Sequence, residues 1–121
     1  MTTILEKILK EKESYVNQLM QKKLPISKKD IIRSSLFEHL YKNKQLQVIA
    51  EIKRASPSRG VIQGIVDPAH QAFLYQNSGA ACISVLTDTP FFQGSFEDLM
   101  TVADTVDIPI LCKDFIIHEI Q

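Results

Sequence analysis

Apolar residues at Ile4, Leu5, Ile8, Leu9, Tyr15, Val16, Leu19 and Met20 recur with helical spacing and form one stripe. Thr3 followed by Glu6 is a capping box that sets the start of this helix. Pro25 limits its length, because an interior proline removes a hydrogen bond and clashes with the preceding turn. Ser35 and Glu38 repeat the capping signal ahead of Phe37, Leu40 and Tyr41, which predicts a short second helix. From Gln45 the period changes. Residues 47–53, 81–86 and 108–112 are short, near-continuous apolar runs, the pattern of strands covered on both faces. Asp67-Pro68 predicts a helix start, with Asp as N-cap and Pro in the first turn, and Gly79 a helix stop. Ser95 predicts another N-cap, before Phe96, Leu99, Met100 and Val102, with Glu97 and Asp98 at the positive end of the helix dipole. Residues 89–94 read as a loop, and 116–121 as the first turn of a further helix.

Strands separated by about thirty residues, with a helix between each pair, form βαβ units and a parallel sheet. Residues 1–44 are therefore expected to be an N-terminal helical extension, and 45–121 three strands with their intervening helices. A sheet this narrow leaves two open edges. The chain is accordingly expected to be the front part of a larger α/β protein, either a (β/α)8 barrel or a doubly wound open sheet. No GxGxxG or P-loop pattern follows the first strand, which weighs against the nucleotide-binding open sheets.

Composition narrows the partners. The 121 residues carry 14 basic and 14 acidic side chains, so no net field draws the chain to nucleic acid or to a membrane surface. Lys22-Lys23 and Lys28-Lys29 read as solvated helix ends and loop. Cys82 and Cys112 lie in apolar runs without CxxC spacing, and read as reduced core residues of a cytoplasmic protein. The N-terminus lacks the apolar stretch of a secretory signal, and no run approaches the length of a membrane span.

The charged residues at the strand ends carry the candidate chemistry. Glu51 and Lys53 stand two apart on the first strand and so share a face. In α/β folds ligands sit at the C-terminal ends of strands, and the third strand also ends in a lysine, Lys113. One strand-end lysine alone more often reaches into water. Two lysines with an inward glutamate point to a site in which Glu51 offsets their repulsion, one lysine anchors an anion and the other donates a proton. Ser56-Pro57-Ser58 adds hydroxyls and turn N–H groups, flanked by Arg54 and Arg59, suited to a phosphate or carboxylate. Phe91, Phe92 and Phe115 are candidates either for walls of an aromatic pocket or for simple packing. His39, His70 and His118 share no spacing and read as surface or structural residues.

Four spaced motifs carry a family resemblance that spans essentially the whole chain. They are the run from Ile49 to Ser58, the run from Ile83 to Asp88, Phe92-Gln93-Gly94-Ser95, and the run from Ile110 to Phe115. Together with the helical N-terminal extension they resemble the indole-3-glycerol phosphate synthase family. The resemblance implies a (β/α)8 (TIM) barrel, of which this chain holds the extension and the first three βα units. It implies a lyase of tryptophan biosynthesis that closes the indole ring of 1-(2-carboxyphenylamino)-1-deoxyribulose 5-phosphate with loss of carbon dioxide and water, using neither metal nor organic cofactor. Lys113 then matches the general acid at the substrate carbonyl, Lys53 the lysine on the substrate carboxylate, and Glu51 the carboxylate supporting both. Ser56, with Ser58 beside it, matches the phosphate end, and Phe92 and Phe115 match apolar walls around the anthranilate ring. The family's strand-four glutamate, mid-barrel polar residues and late phosphate-binding loops have no counterpart in these residues. The chain alone is thus expected to be inactive, since an acid without its base forfeits on the order of a hundredfold or more. The alternative is a non-catalytic partial barrel that self-associates through open strand edges. A phosphate-handling isomerase barrel is disfavoured by the long helical extension.

Overall fold

A computed structural model describes residues 1–23 and 33–121. The expectations for Pro25 and for Lys28-Lys29 lie outside the described residues. Two compact units are present, one joining the N-terminal helix to Asp114–Gln121, the other described from Arg33 to Lys113.

In the first unit, α1 (Ile4–Met20) opens with the expected capping box: Glu6 N–H donates to Thr3 Oγ1 at 3.2 Å and Thr3 N–H donates to Glu6 Oε2 at 2.6 Å. Its buried stripe is narrower than the apolar pattern implied. Ile8, Lys12 and Val16 are buried at a spacing of four, whereas Ile4, Leu5 and Met20 are exposed. The lysine in that stripe is explained by its partner. Lys12 Nζ lies 2.7 Å from Asp114 Oδ1, with side chains only 6% and 3% exposed, and 5.7 Å from the Tyr15 ring centroid. Burial pushes the Tyr15 hydroxyl up in pKa, partly offset by the Lys12 charge. A buried pair of this kind is costly to break, about 3–5 kcal/mol, because removal of one partner strands the other charge. Residues 116–121 hold a turn at Glu119 and Ile120 instead of the expected first helical turn. The Gln121 side chain accounts for this: its Oε1 accepts from Ile117 N–H at 2.8 Å and His118 N–H at 3.2 Å, taking amides at which a helix would begin.

The second unit is built on a three-stranded parallel sheet in the order β1 (Ile49–Ile52), β4 (Cys82–Leu86), β5 (Ile110–Lys113). Between β1 and α3 (Pro68–Asn77) sits a small antiparallel hairpin, β2 (Ala55–Ser56) with β3 (Gly60–Val61). Helix α3 and α5 (Phe96–Thr105) cover one sheet face. Ile52, Ile83 and Val85 from the strands meet Ala72 of α3, Val102 of α5 and the adjoining Val106 in a continuous buried cluster. Alternation then assigns Glu51, Ser84, Leu111 and Lys113 to the opposite face, with Glu51 in register with Ser84 and Ser84 with Leu111. On that face Ile49 and Leu111 are exposed. Cys82 is buried as expected and burial pushes its thiol up in pKa, but Cys112 is exposed. The reason is its place on β5, an outer strand of the sheet.

The caps of this unit follow the sequence signals. Asp67, Ser35 and Ser95 each accept the third N–H of their helices, α3, α2 (Leu36–Lys42) and α5. The C-terminal end of α5 is closed by Arg33, whose guanidinium donates to Val106 O at 2.9 Å and also to Ala103 O. A cation at a helix C-terminus satisfies orphan carbonyls and complements the dipole. Residues 89–94, read as a loop, contain a single helical turn, α4 (Thr89–Phe92). Asp88 caps it by accepting Phe91 N–H at 2.8 Å, and Gln93 closes it in the left-handed region at φ 56°. Gly94 follows, its N–H donating to Asp88 O at 2.9 Å. A Cβ on Gly94 would stand 2.0 Å from Leu86 O, so only glycine allows this loop to lie on the C-terminal end of β4.

Candidate active site

The C-terminal ends of the parallel strands bring Glu51, Lys53 and Lys113 together. Lys113 Nζ donates to Glu51 Oε2 at 2.9 Å, and Lys53 Nζ lies 3.3 Å from Glu51 Oε1. Each oxygen of one carboxylate therefore holds a different ammonium group. The carboxylate is partly sheltered, 29% exposed, while Lys53 is 33% and Lys113 50% exposed. Desolvation pulls the Glu51 pKa upward, but hydrogen bonds from Lys113 and Lys53, with the charges of both, outweigh it and hold the carboxyl below its ordinary value of 4.5. Glu51 is ionised at neutral pH, and the trio carries one net positive charge. That is an arrangement suited to receive an anion on one lysine while the other, held by the carboxylate, keeps a proton to deliver.

Glu51 is fixed from two further directions. Ser84 Oγ, on the central strand, donates to Glu51 Oε2 at 3.2 Å, and Tyr75 Oη, on α3, donates to the Glu51 main-chain carbonyl at 3.2 Å. Sequence reasoning passed over both. The available signal for Ser84 was its position as the one polar residue within the run Cys82–Leu86.

The other candidates lie as follows. Ser56 is buried on β2, its Oγ 3.4 Å from Ser58 Oγ and accepting Arg59 N–H at 3.3 Å. Ser58 and Arg59 are exposed on the hairpin turn. Arg54, read as a flanking anion-binding group, is instead committed to the scaffold. Its Nε and terminal nitrogen grip Asp98 of α5 at 3.1 and 2.8 Å, and it also donates to Val66 O at 3.2 Å. Such a bidentate pair ties the chain after β1 to a helix, which is a positioning task. Phe92 is half-buried at the end of α4. Phe115 belongs to the unit of the N-terminal helix, where its N–H donates to Asp114 Oδ1 at 2.7 Å and its carbonyl accepts the Gln121 amide at 3.1 Å. Among the described residues no group of three or more His, Cys, Asp or Glu side chains is placed to hold a metal ion. No described helix is long and apolar enough to cross a membrane.

Comparison with known proteins places this sequence in a family. The sequence profile described as indole-3-glycerol phosphate synthase matches residues 5–121. A protein of that name from Oceanobacillus iheyensis is 50% identical over 119 residues, covering 98% of this chain and 46% of the relative. One from Bacillus cereus is 48% identical over 121 residues, covering 100% of this chain and 46% of the relative. One from Trichodesmium erythraeum is 46% identical over 124 residues, covering 98% of this chain and 42% of the relative. The chain thus spans a little under half the length of these curated relatives. With a match over nearly all of its residues, the chain belongs to the indole-3-glycerol phosphate synthase family.

Proposed function

We propose that this chain supplies the acid side of an indole-forming carboxy-lyase site, and that its sheet is the first three strands of a (β/α)8 barrel preceded by the helical extension at residues 1–44. The observation that carries the reading is the single carboxylate of Glu51 holding Lys53 and Lys113 at the C-terminal ends of parallel strands. Family membership supports the substrate, 1-(2-carboxyphenylamino)-1-deoxyribulose 5-phosphate. Ring closure joins the aromatic carbon that bears the carboxylate to the ketone carbon. The carbonyl electron pair moves onto oxygen, which takes a proton from Lys113. Loss of carbon dioxide then restores the ring; the hydroxyl takes up a second proton and leaves as water, while the neighbouring carbon that bears the nitrogen gives up a proton, which forms the indole double bond. In this scheme Lys53 holds the substrate carboxylate, Ser56 and Ser58 face the phosphate, and Phe92 walls the aromatic ring. The chemistry asks for no metal or organic cofactor, and the metabolite-sized, phosphorylated substrate fits a cytoplasmic location.

The test joins this chain to the part of the Oceanobacillus iheyensis relative that it does not cover. The joined protein is expected to convert the substrate to a fluorescent indole product. A folded joined protein that forms none would overturn the reading. One observation favours a second reading, a non-catalytic sheet that self-associates: β1 and β5 each pair only with β4 among the described strands, and Ile49 and Leu111 on them are exposed. Absence of product together with a mass that rises with concentration in light scattering would establish that alternative.

A further inference from the structure

We propose that Ser84 is a positioning residue of this site, one that turns the Glu51 carboxylate so that Lys113 and Lys53 occupy different oxygens. The proposal rests on the reading of Lys113 as the acid. Ser84 is buried, 3% exposed, on the central strand of the sheet and in register with Glu51. A buried hydroxyl in an apolar strand needs a partner, and its O–H donates to Glu51 Oε2, the oxygen that also accepts from Lys113. The long, four-atom reach of a glutamate leaves its terminal torsion broad. Two donors on Oε2, one of them on a rigid strand, remove that freedom. Among the described residues, Oε1 is then left to Lys53.

The asymmetry has a consequence for how the two lysines behave. Lys113 is held on an oxygen whose position is set by the central strand, so its ammonium stays where β5 and β4 place it. Lys53 has the less constrained contact and is the one free to turn toward an incoming anion. Without the hydroxyl the carboxylate can rotate, and the two lysines exchange or share oxygens. Among the described residues, the charged and polar groups that face Glu51 are Lys53 just past the end of β1, Lys113 on β5, Ser84 on β4 and Tyr75 of α3 at its main-chain carbonyl.

The experiment follows the Glu51 side-chain carboxyl carbon by NMR across an acid titration of the 121-residue chain. In Ser84→Ala the midpoint is expected to move upward, because the ionised form loses a donor. Ser84→Thr keeps the hydroxyl and is expected to titrate with the parent. A midpoint in Ser84→Ala equal to the parent's, or a Ser84→Thr that follows Ser84→Ala, would overturn the proposal. In the joined protein Ser84→Ala is expected to lower kcat about tenfold with the acid limb of the pH profile displaced upward, the loss of one hydrogen bond to a charged group. An unchanged kcat and profile would also overturn it. The titration reports on Ser84 whether or not the joined protein turns over, so a failure of the catalytic reading is seen separately.

Discussion

Lys113→Met in the joined protein is expected to lower kcat at least about a hundredfold while leaving KM within a fewfold of the parent. General acids contribute about 10²–10⁴-fold. Methionine keeps the length and apolar stem of lysine but has no proton to give. Lys113 touches Glu51 and, in the proposed reaction, meets the substrate only where charge develops on the carbonyl oxygen. An interaction made in the transition state and not in the ground state shows in kcat. Lys53→Met gives the contrast. A lysine that grips the substrate carboxylate throughout shows mainly in KM. Steady-state kinetics with the indole product as readout separates the two. Equal losses of kcat in both variants, with KM unmoved, would remove the division of labour; a parent-like kcat in Lys113→Met would remove Lys113 as the acid.

Gly94→Ala is expected to destabilise the fold by more than about 4 kcal/mol, at the far end of single-substitution effects. The added methyl carbon would stand 2.0 Å from Leu86 O and 2.6 Å from Leu86 C, both main-chain atoms at the end of the buried central strand. Neither can move without disturbing the register of β4 with β1 and β5. The loop must retreat, and Thr89 Oγ1, which donates to Gly94 O at 2.9 Å, loses its partner. Gly60→Ala is the control. Gly60 is in the left-handed region at φ +65° but meets no atom within 4 Å, so its effect is confined to backbone strain of about 1–2 kcal/mol. Denaturant unfolding of the two variants measures the gap. A Gly94→Ala chain within about 1 kcal/mol of the parent would contradict the close approach.

Much of this was legible in the sequence because it depends on local rules. The N-caps at Thr3, Ser35, Asp67 and Ser95 all form, since a side-chain oxygen one position ahead of a helix acts within a single turn. The three parallel strands fall where apolar runs lie between turn signals, whereas the β2–β3 hairpin lies in none of those runs; the i, i+2 spacing of Glu51 and Lys53 puts both on one side. What could not be read depends on register and on contacts distant in sequence. Nothing near Ser84 announces that it pairs with Glu51; that follows only once β1 and β4 are aligned. Arg54 has the look of an anion-binding residue until Asp98, forty-four positions later, is found against it. Lys12 reads as a break in the apolar stripe of α1, and only Asp114 explains its burial. Cys112 reads as core from its apolar neighbours, but an outer strand does not bury every position. The turn at Thr89–Phe92 is too short for an apolar period to show, and its cap, Asp88, is recognised only from the hydrogen bond it accepts from Phe91 N–H.

The most direct measurement is a crystal structure of the joined protein with a substrate analogue whose ketone is reduced to an alcohol. The alcohol oxygen is expected within hydrogen-bond reach of Lys113 Nζ, with the benzoate carboxylate on Lys53 and Glu51 still bound to Lys113. An analogue seated away from both lysines, or with its carboxylate on Lys113 and its alcohol on Lys53, would contradict the assignment of Lys113 as the proton donor.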